Sequence, residues 1–126
     1  MTELRKIMHV EDDPDIQEIA AIALEMIGGL EIVQFSSGAV AIERATSEMP
    51  DLLLLDVMMP GLSGEQTLLG LRALPGFETT PAIFMTAKAQ ETDVESLIAL
   101  GALGVITKPF DPMTLADEVR ALWETR

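Results

Sequence analysis

Cysteine and tyrosine are absent from this 126-residue chain, and basic residues are scarce. Without cysteine, the chain can form neither a disulfide nor a thiolate metal site. Eight Lys and Arg residues stand against 21 Asp and Glu residues, which gives a formal net charge of −13. This balance argues against direct binding to nucleic acids or to anionic membrane surfaces, because both need a basic footprint. It favours cationic partners, including divalent metal ions.

Long apolar runs are missing as well. No stretch approaches the roughly 20 residues that a bilayer-crossing helix requires, and the first residues do not read as a signal peptide. The lack of cysteine is compatible with a reducing compartment, so we expect a cytoplasmic protein without membrane insertion. With 48% apolar residues the chain can bury a core, and its length predicts a single domain over residues 1–126.

Short apolar runs alternate with longer runs of helical periodicity along the whole chain. The predicted strands are Ile7–Val10, Glu31–Phe35, Leu52–Leu55, Ala82–Thr86 and Leu103–Thr107. A helix is predicted after each strand, which makes five βα units. This alternation is typical of a doubly wound α/β fold, a five-stranded parallel sheet with helices on both faces. The flavodoxin-like strand order 2-1-3-4-5 then makes the first and third strands neighbours.

Local signals predict where the helices begin. An Asp followed by Pro suits an N-cap with Pro at the first helical position, and Ser or Thr followed three residues later by Gln or Glu suits a capping box. The predicted starts are Asp13-Pro14, Ser63 with Gln66, Thr92 with Glu95, and Asp111-Pro112. Gly28-Gly29 predicts the end of the first helix.

Polar side chains stand at the carboxyl ends of four predicted strands. Glu11 and Asp12 follow the first strand, and Asp56 follows the third. Thr86 is the last residue of the fourth strand, and Lys108 follows the fifth. In a parallel sheet these ends share one edge. Three crowded carboxylates resist ionising together, and a hard cation such as Mg²⁺ resolves that conflict through oxygen ligands. The set therefore suits transfer of a phosphoryl group to a carboxylate, which depends chiefly on positioning and charge stabilisation.

Four motifs in this order make the chain resemble the response-regulator receiver domain of two-component signalling, of the single-domain chemotaxis-regulator type. They are Val10-Glu11-Asp12-Asp13, Leu55-Asp56-Val57-Met58-Met59-Pro60-Gly61, Met85-Thr86-Ala87 and Lys108-Pro109-Phe110. Each motif alone is a weak signal, but four on the expected strands are a strong one. The resemblance covers essentially the whole chain.

The resemblance implies a phosphoacceptor beside a metal site. Asp56 would take the phosphoryl group from a histidine kinase or a histidine phosphotransferase. Asp12 would ligate Mg²⁺, or Mn²⁺ in its place, directly, and Glu11 would act mainly through a coordinated water. Asp56 and the backbone carbonyl of Met58 would complete the protein ligands. The chain would then be a signalling domain rather than an enzyme, limited to its own phosphorylation and dephosphorylation.

The resemblance also assigns roles around the phosphoryl group. The Thr86 hydroxyl and the Lys108 ammonium would contact it, and the peptide bond from Lys108 to Pro109 would be cis. Met58 and Lys88 would flank the group and tune its lifetime. The downstream target would bind the face formed by helix 4, strand 5 and helix 5, in a monomer or a weak dimer.

One position departs from the family pattern. Receiver domains often carry an aromatic switch residue three positions before the lysine, and this chain has Val105 there. A β-branched side chain has little rotational freedom, so the aromatic half of the switch cannot operate from this position. The acids near helices 4 and 5 also lack the basic partners that transcription regulators of the family use for receiver dimerisation.

Other readings stay open at this point. A phosphatase with an aspartyl-phosphate intermediate needs an acid two residues after Asp56, where Met58 stands. A degenerate receiver that only binds partners, or a flavin carrier on the same fold, conflicts with the intact acidic set. His9, the single histidine, is expected to be a satisfied core residue rather than a participant. Met1 and the fit at both ends favour a complete single-domain regulator. The alternatives are a receiver cut from a longer regulator or hybrid kinase, a phosphorelay intermediate and a phosphate sink.

Overall fold

Strands and helices alternate along the chain in the computed structural model, which describes residues 3–88 and 90–126. The strands are β1 (Lys6–Val10), β2 (Glu31–Phe35), β3 (Leu52–Asp56), β4 (Ala82–Thr86) and β5 (Gly104–Thr107). The helices are α1 (Pro14–Ala21, continued by a π-helical segment, Ile22–Ile27), α2 (Gly38–Glu48), α3 (Gly64–Arg72), α4 (Glu91–Ala99) and α5 (Leu115–Glu124). The strands pair in parallel in the order β2-β1-β3-β4-β5. The predicted fold and strand order are therefore confirmed.

The leucine run of β3 divides its side chains between the two faces of the sheet. Leu52 and Leu54 enter the core beneath α1 and α5, whereas Leu53 and Leu55 enter the core beneath α2, α3 and α4. All four leucines are fully buried. Because both faces are packed, the strand is held firmly along its length. Asp56, at its carboxyl end, is consequently fixed in position by the two cores.

Two of the predicted helix starts are confirmed. The Asp13 side chain accepts a hydrogen bond from the Asp15 amide at 2.9 Å, directly before Pro14. Ser63 and Gln66 form the full capping box, since each side chain bonds the backbone amide of the other residue. These caps fix the starts of α1 and α3 beside the carboxyl edge of the sheet.

The other two predicted helix starts are wrong. Helix α4 begins at Glu91 after Gln90, so Thr92 lies inside its first turn. Acids in that turn stabilise the positive end of the helix dipole, and no side-chain cap is needed. Asp111 caps a turn instead, since its Oδ1 accepts a hydrogen bond from the Met113 amide at 2.9 Å. This local bond occupies the residues after Asp111, and α5 begins only at Leu115.

The end of the first helix follows the prediction, but its interior does not. Gly29 has a φ of 71° and ends the helical segment, as glycine does where the chain must enter the left-handed region. The segment Ile22–Ile27 is π-helical rather than α-helical. Arg120 of α5 donates a hydrogen bond to the Gly28 carbonyl at 2.6 Å, so the two neighbouring helices are joined at this point. Nothing in the periodicity of the sequence distinguishes this segment from an ordinary helix.

A close backbone approach joins α3 to the end of β3. The Gly64 amide donates to the Val57 carbonyl at 2.9 Å. A Cβ atom at Gly64 would overlap the carbonyl oxygen of Asp56. Only glycine fits here, because any side chain would push the helix away from the strand end. Among the residues that the structure describes, no helix has the length and apolar character needed to span a membrane.

Candidate functional site

Three carboxylates meet at the carboxyl edge of the sheet. Val10 of β1 and Leu55 of β3 are paired in register, so the residues that follow them, Glu11 and Asp56, are neighbours. Carboxylate oxygens of Glu11, Asp12 and Asp56 all lie within 4.8 Å of one another. Glu11 and Asp56 are buried, whereas Asp12 is exposed. The structure thus brings together the acidic residues that the sequence predicted for one site.

Lys108 reaches both buried carboxylates from the loop after β5. Its Nζ lies 2.7 Å from Glu11 Oε1 and 2.8 Å from Asp56 Oδ1. The Lys108 amide also donates to the Thr86 carbonyl at 2.9 Å, which ties this loop to the end of β4. The bond from Lys108 to Pro109 is cis, as the family resemblance implied. A single ammonium therefore faces two carboxylates that are nearly removed from water.

This arrangement perturbs the protonation of the groups involved. Burial raises the pKa of Glu11 to about 7, against the opposing effect of its hydrogen bond from Lys108. Burial alone would lower the pKa of Lys108, but the hydrogen bonds to Asp56 and Glu11 outweigh it, and this pKa lies above its ordinary value. Perturbed groups gathered at one strand edge are a recognised mark of a functional site.

The acidic cluster has the chemistry of a site for a hard divalent cation. Mg²⁺ takes oxygen ligands in octahedral geometry and keeps several waters, so one or two carboxylates suffice as direct ligands. Glu11, Asp12 and Asp56 offer such oxygens within 4.8 Å of one another. The three carboxylates carry more negative charge than Lys108 can balance. The residues present fit the ion that the sequence predicted.

Thr86 occupies the end of β4 beside the acidic cluster. It is buried, and its Oγ1 accepts a hydrogen bond from the Lys88 amide at 3.0 Å. Because the oxygen is the acceptor in this bond, the hydroxyl hydrogen remains available to an acceptor elsewhere. Thr86 thus links the centre of the site to the loop that leads into α4.

A cavity of about 280 Å³ with a mixed polar and apolar lining opens beside Thr86. Its lining residues are Val57, Met58, Glu65, Thr86, Lys88, Asp93, Ser96 and Leu97. Met58 and Lys88, predicted to flank the phosphoryl group, therefore border the same space. Glu65 was not identified from the sequence, because an acid in the first turn of a helix is explained by the helix dipole alone.

A second cavity, apolar and of about 250 Å³, adjoins Lys108. Its lining residues are Ile16, Ile19, Ala87, Lys108, Pro109 and Phe110. Ile19 is 43% exposed and Ile22, further along the same helix, is 41% exposed. Ile16 and Ile19 follow at helical spacing, which predicts that both lie on the buried face of the first helix. The structure gives Ile19 an exposed position at the rim of the site instead.

Two further residues singled out in the sequence have clear positions. His9 is fully buried in β1, and its Nδ1 is 3.1 Å from the side-chain nitrogen of Gln34. Its Nε2 has no hydrogen-bond partner among the described residues, so the expected satisfied core histidine is satisfied at one nitrogen only. Val105 is half-buried and packs against the core beneath α2, α3 and α4.

Comparisons with known proteins point in one direction. The model of the family described as the response regulator receiver domain matches residues 7–120. The transcriptional regulatory protein CseB of Streptomyces coelicolor is 34% identical over 122 residues, which cover 97% of this chain and 50% of that protein. An uncharacterized 14.6 kDa protein of Leptolyngbya boryana is 37% identical over 109 residues, 86% of this chain and 82% of that protein. The chain thus spans about half the length of the first curated relatives that it matches.

Solved structures give the same direction. The chemotaxis protein CheY4 of Vibrio cholerae superposes with a TM-score of 0.87 at 25% identity, covering 95% of this chain and 99% of that one. The BeF₃-activated receiver domain of Klebsiella pneumoniae RstA superposes with a TM-score of 0.79 at 30% identity, covering 93% of this chain and 97% of that one. The architecture is therefore shared with these proteins.

Proposed function

Because this chain belongs to the family of response regulator receiver domains, we propose that Asp56 accepts a phosphoryl group from a phosphohistidine and thereby switches a protein-binding surface in the cytoplasm. The observation that carries the proposal is the contact of one Lys108 ammonium with the buried carboxylates of Glu11 and Asp56. Receiver domains are signalling domains, and the buried carboxylate of Asp56, the ammonium of Lys108 and the acidic cluster at the same edge of the sheet support this proposal.

The chemistry begins with the Asp56 carboxylate. One of its oxygens attacks the phosphorus, a P–O bond forms, the P–N bond of the donor breaks, and the electron pair leaves with the imidazole. Transfer of this kind depends mainly on position and on the balance of charge. Packing of β3 on both faces supplies the position, since it leaves the carboxylate little freedom.

The neighbouring residues then stabilise the charge gained. We place the Mg²⁺ ligands at Asp12, Asp56 and the Met58 carbonyl, with Glu11 acting through water. When bound, the ion offsets negative charge on the phosphoryl oxygens. Lys108 contacts Asp56 before transfer and turns its ammonium to a phosphoryl oxygen afterwards. The Thr86 hydroxyl donates its free hydrogen to another oxygen of that group.

The donor reaches Asp56 over the apolar cavity of Ile16, Ile19 and Phe110. This cavity adjoins Lys108 and therefore the phosphoacceptor. Exposed aliphatic side chains beside an otherwise polar site favour the docking of a protein rather than of a small ion. A histidine kinase or a histidine phosphotransferase that packs against α1 at this point would bring its phosphohistidine to the carboxyl edge of the sheet.

The output runs from Thr86 to the face of α4, β5 and α5. When Thr86 turns toward the phosphoryl group, it must release the Lys88 amide, which it holds at 3.0 Å. The loop into α4 then loses one of its anchors. Val105 is too small to act as an aromatic switch, so this loop is our proposed route by which the charge at Asp56 reaches the exposed side of α4.

Phosphorylation by a small acyl phosphate tests the assignment. We expect Mg²⁺-dependent uptake of one phosphoryl group by the native protein and none by Asp56→Asn. Asp117→Asn, an exposed acid on α5, is the matched control and should behave as the native protein. Uptake that persists unchanged in Asp56→Asn would refute the assignment of the phosphoacceptor.

The docking surface has a separate test. We expect Ile19→Asp to slow transfer from a phosphorylated kinase or phosphotransferase at least tenfold and to leave uptake from the acyl phosphate unchanged. Ile98→Asp, which changes an equally exposed isoleucine on α4, is the control. Equal transfer rates in the Ile19 variant and the native protein would show that the phosphoryl donor docks on a different surface.

A further inference from the structure

A series of half-buried side-chain amides links β2 and α1 to the backbone of Glu11, and the proposed mechanism does not use it. The side-chain nitrogen of Gln34, on β2, lies 2.7 Å from the Gln17 carbonyl and 3.1 Å from His9 Nδ1. The side-chain nitrogen of Gln17 lies 2.7 Å from the Glu11 carbonyl. These contacts connect an edge strand, a central strand and α1 to the residue at the start of the acidic cluster.

The donors and acceptors in this series of contacts follow from the Gln17 carbonyl, which can only accept and therefore faces the side-chain nitrogen of Gln34. An amide nitrogen of Gln34 only donates, so His9 Nδ1 accepts and the ring proton resides on Nε2. Both hydrogens of the Gln34 amide are then committed, one to His9 and one to Gln17. Because His9 is fully buried in β1, it provides a rigid anchor that fixes the orientation of the Gln34 side chain. Gln34 in turn holds the first helix at Gln17.

Every polar group of Glu11 therefore contacts a partner in another residue. Its amide donates to the Phe35 carbonyl at 3.0 Å, and its carbonyl accepts from Gln17. One carboxylate oxygen contacts Lys108, and the other accepts from the Asp13 amide at 3.2 Å. With both sides of its backbone pinned, the residue has little freedom to turn its carboxylate away from Asp56. Two of these restraints start from β2, at Phe35 and Gln34.

We propose that Gln17 and Gln34 are positioning residues of the divalent cation site, which act by fixing the backbone of Glu11. This inference rests on the cation site of the proposed function. Groups that orient metal ligands from behind commonly change metal affinity by about 10- to 100-fold when they are removed. Gln17 and Gln34 act on a backbone carbonyl rather than on a ligand atom, so we expect the lower end of that range.

The experiment titrates Mg²⁺ calorimetrically into Gln17→Met and Gln34→Met, which keep side-chain length and remove the hydrogen bonds. We expect the dissociation constant to rise about tenfold in each variant. The double variant should lose little more than either single one, since both act through one chain of bonds. Gln90→Met, at an exposed position without a side-chain cap bond, is the matched control and should bind as the native protein does.

A second readout separates positioning from simple stability. The Mg²⁺ concentration for half-maximal acyl-phosphate uptake should rise about tenfold in Gln17→Met, while the rate at saturating Mg²⁺ stays near the native value. Melting in EDTA measures the structural contribution of the same bonds. If both variants melt earlier but bind Mg²⁺ within twofold of the native protein, the amides are structural and the inference is wrong.

The inference and the proposed function can fail separately. Should Gln17→Met not fold, Gln34→Met still removes the restraint on Gln17 and decides the question by its affinity. A native protein that binds Mg²⁺ but takes up no phosphoryl group would overturn the proposed function alone. Native affinity in both glutamine variants, together with normal phosphoryl uptake, would overturn the positioning role alone. A native protein that binds no Mg²⁺ would overturn both.

Discussion

Magnesium binding should be strongly pH-dependent just below neutrality, because of Glu11. This carboxyl is 1% exposed and faces Lys108 at 2.7 Å and Asp56 across the shared ammonium, with Asp12 and Asp13 following in the loop. One ammonium cannot balance two buried carboxylates, so a proton remains on the pair near neutral pH. Burial raises the pKa of Glu11 to about 7 in the metal-free protein.

The size of the effect follows from competition between the proton and the cation. A divalent charge beside Glu11 favours the ionised carboxylate, whether the contact is direct or through water, so binding releases the proton. With a pKa of about 7, the carboxyl is mostly ionised at pH 8 and mostly protonated at pH 6. The apparent dissociation constant should therefore rise about tenfold from pH 8 to pH 6, which corresponds to about 1.4 kcal/mol.

Calorimetric titration of Mg²⁺ at pH 6, 7 and 8 measures this dependence, and repeating it in buffers of different ionisation enthalpy counts the protons released. Glu11→Gln should bind more weakly at pH 8 and lose most of the dependence. Glu65→Gln is a suitable control, since it removes a half-buried acid outside the cluster. A native dissociation constant that stays the same from pH 8 to pH 6 would show that Glu11 is already ionised, and the charge argument would fail.

Four further predictions address other parts of the site. Lys108→Met should destabilise the metal-free protein by about 3 kcal/mol, since it strands two buried carboxylates, and Mg²⁺ should restore part of that loss in a denaturant titration. In EDTA, the raised pKa of Glu11 stabilises the folded protein fully below pH 4.5, the pKa in the unfolded chain, and this stabilisation is lost as the pH rises to about 7. Burial and the charge of Lys108 lower the pKa of His9 to about 4. His9 therefore stabilises the folded protein above pH 6.5, its pKa in the unfolded chain, and this stabilisation is lost as the pH falls to about 4. The two effects offset each other, so the free energy of unfolding of the native protein should change little between these pH values. That of Glu11→Gln should fall steeply on acidification, and equal pH profiles of the two proteins would contradict the pKa shifts of Glu11 and His9. Gly64→Ala should move α3 off the Asp56 carbonyl and slow acyl-phosphate uptake at least tenfold, with Gly76→Ala, a loop glycine far from Asp56 in sequence, as a control for folding. Met58→Ala should shorten the half-life of the phosphorylated protein several-fold, because the apolar Met58 side chain, 66% exposed beside the cavity, shields the phosphoryl group from water. An unchanged half-life would show that Met58 does not shield this group.

Most of the fold could be predicted because strand and helix periodicities differ. The five apolar runs and the amphipathic segments between them allow few arrangements besides a doubly wound parallel sheet. Convergence of Glu11, Asp56, Thr86 and Lys108 then follows from topology, since parallel strands present their carboxyl ends at one edge. The caps at Asp13 and Ser63 could also be predicted, because they depend only on residues close together in the sequence.

Features that depend on several distant residues could not be predicted. The π-helical segment Ile22–Ile27 lies against α5, where Arg120 binds the Gly28 carbonyl. The start of α4 at Glu91 reflects a balance between a side-chain cap and the helix dipole, which spacing does not resolve. The amide chain through Gln17 and Gln34 joins residues 17 positions apart, and in sequence each looks like an ordinary polar residue.

The protonation of the acidic cluster could not be predicted from the topology of the sheet. Glu11 and Asp12 are adjacent acids with the same formal charge, yet Glu11 is buried against Lys108 whereas Asp12 is exposed to water. The difference arises because the backbone of Glu11 is pinned between Phe35 and Gln17, which turns its side chain toward Asp56. Of these two adjacent acids, only Glu11 is therefore desolvated, and burial raises its pKa to about 7. A restraint on one backbone carbonyl thus decides which acid competes with protons for the cation, and the positioning of Glu11 and the pH dependence of Mg²⁺ binding are two consequences of the same geometry.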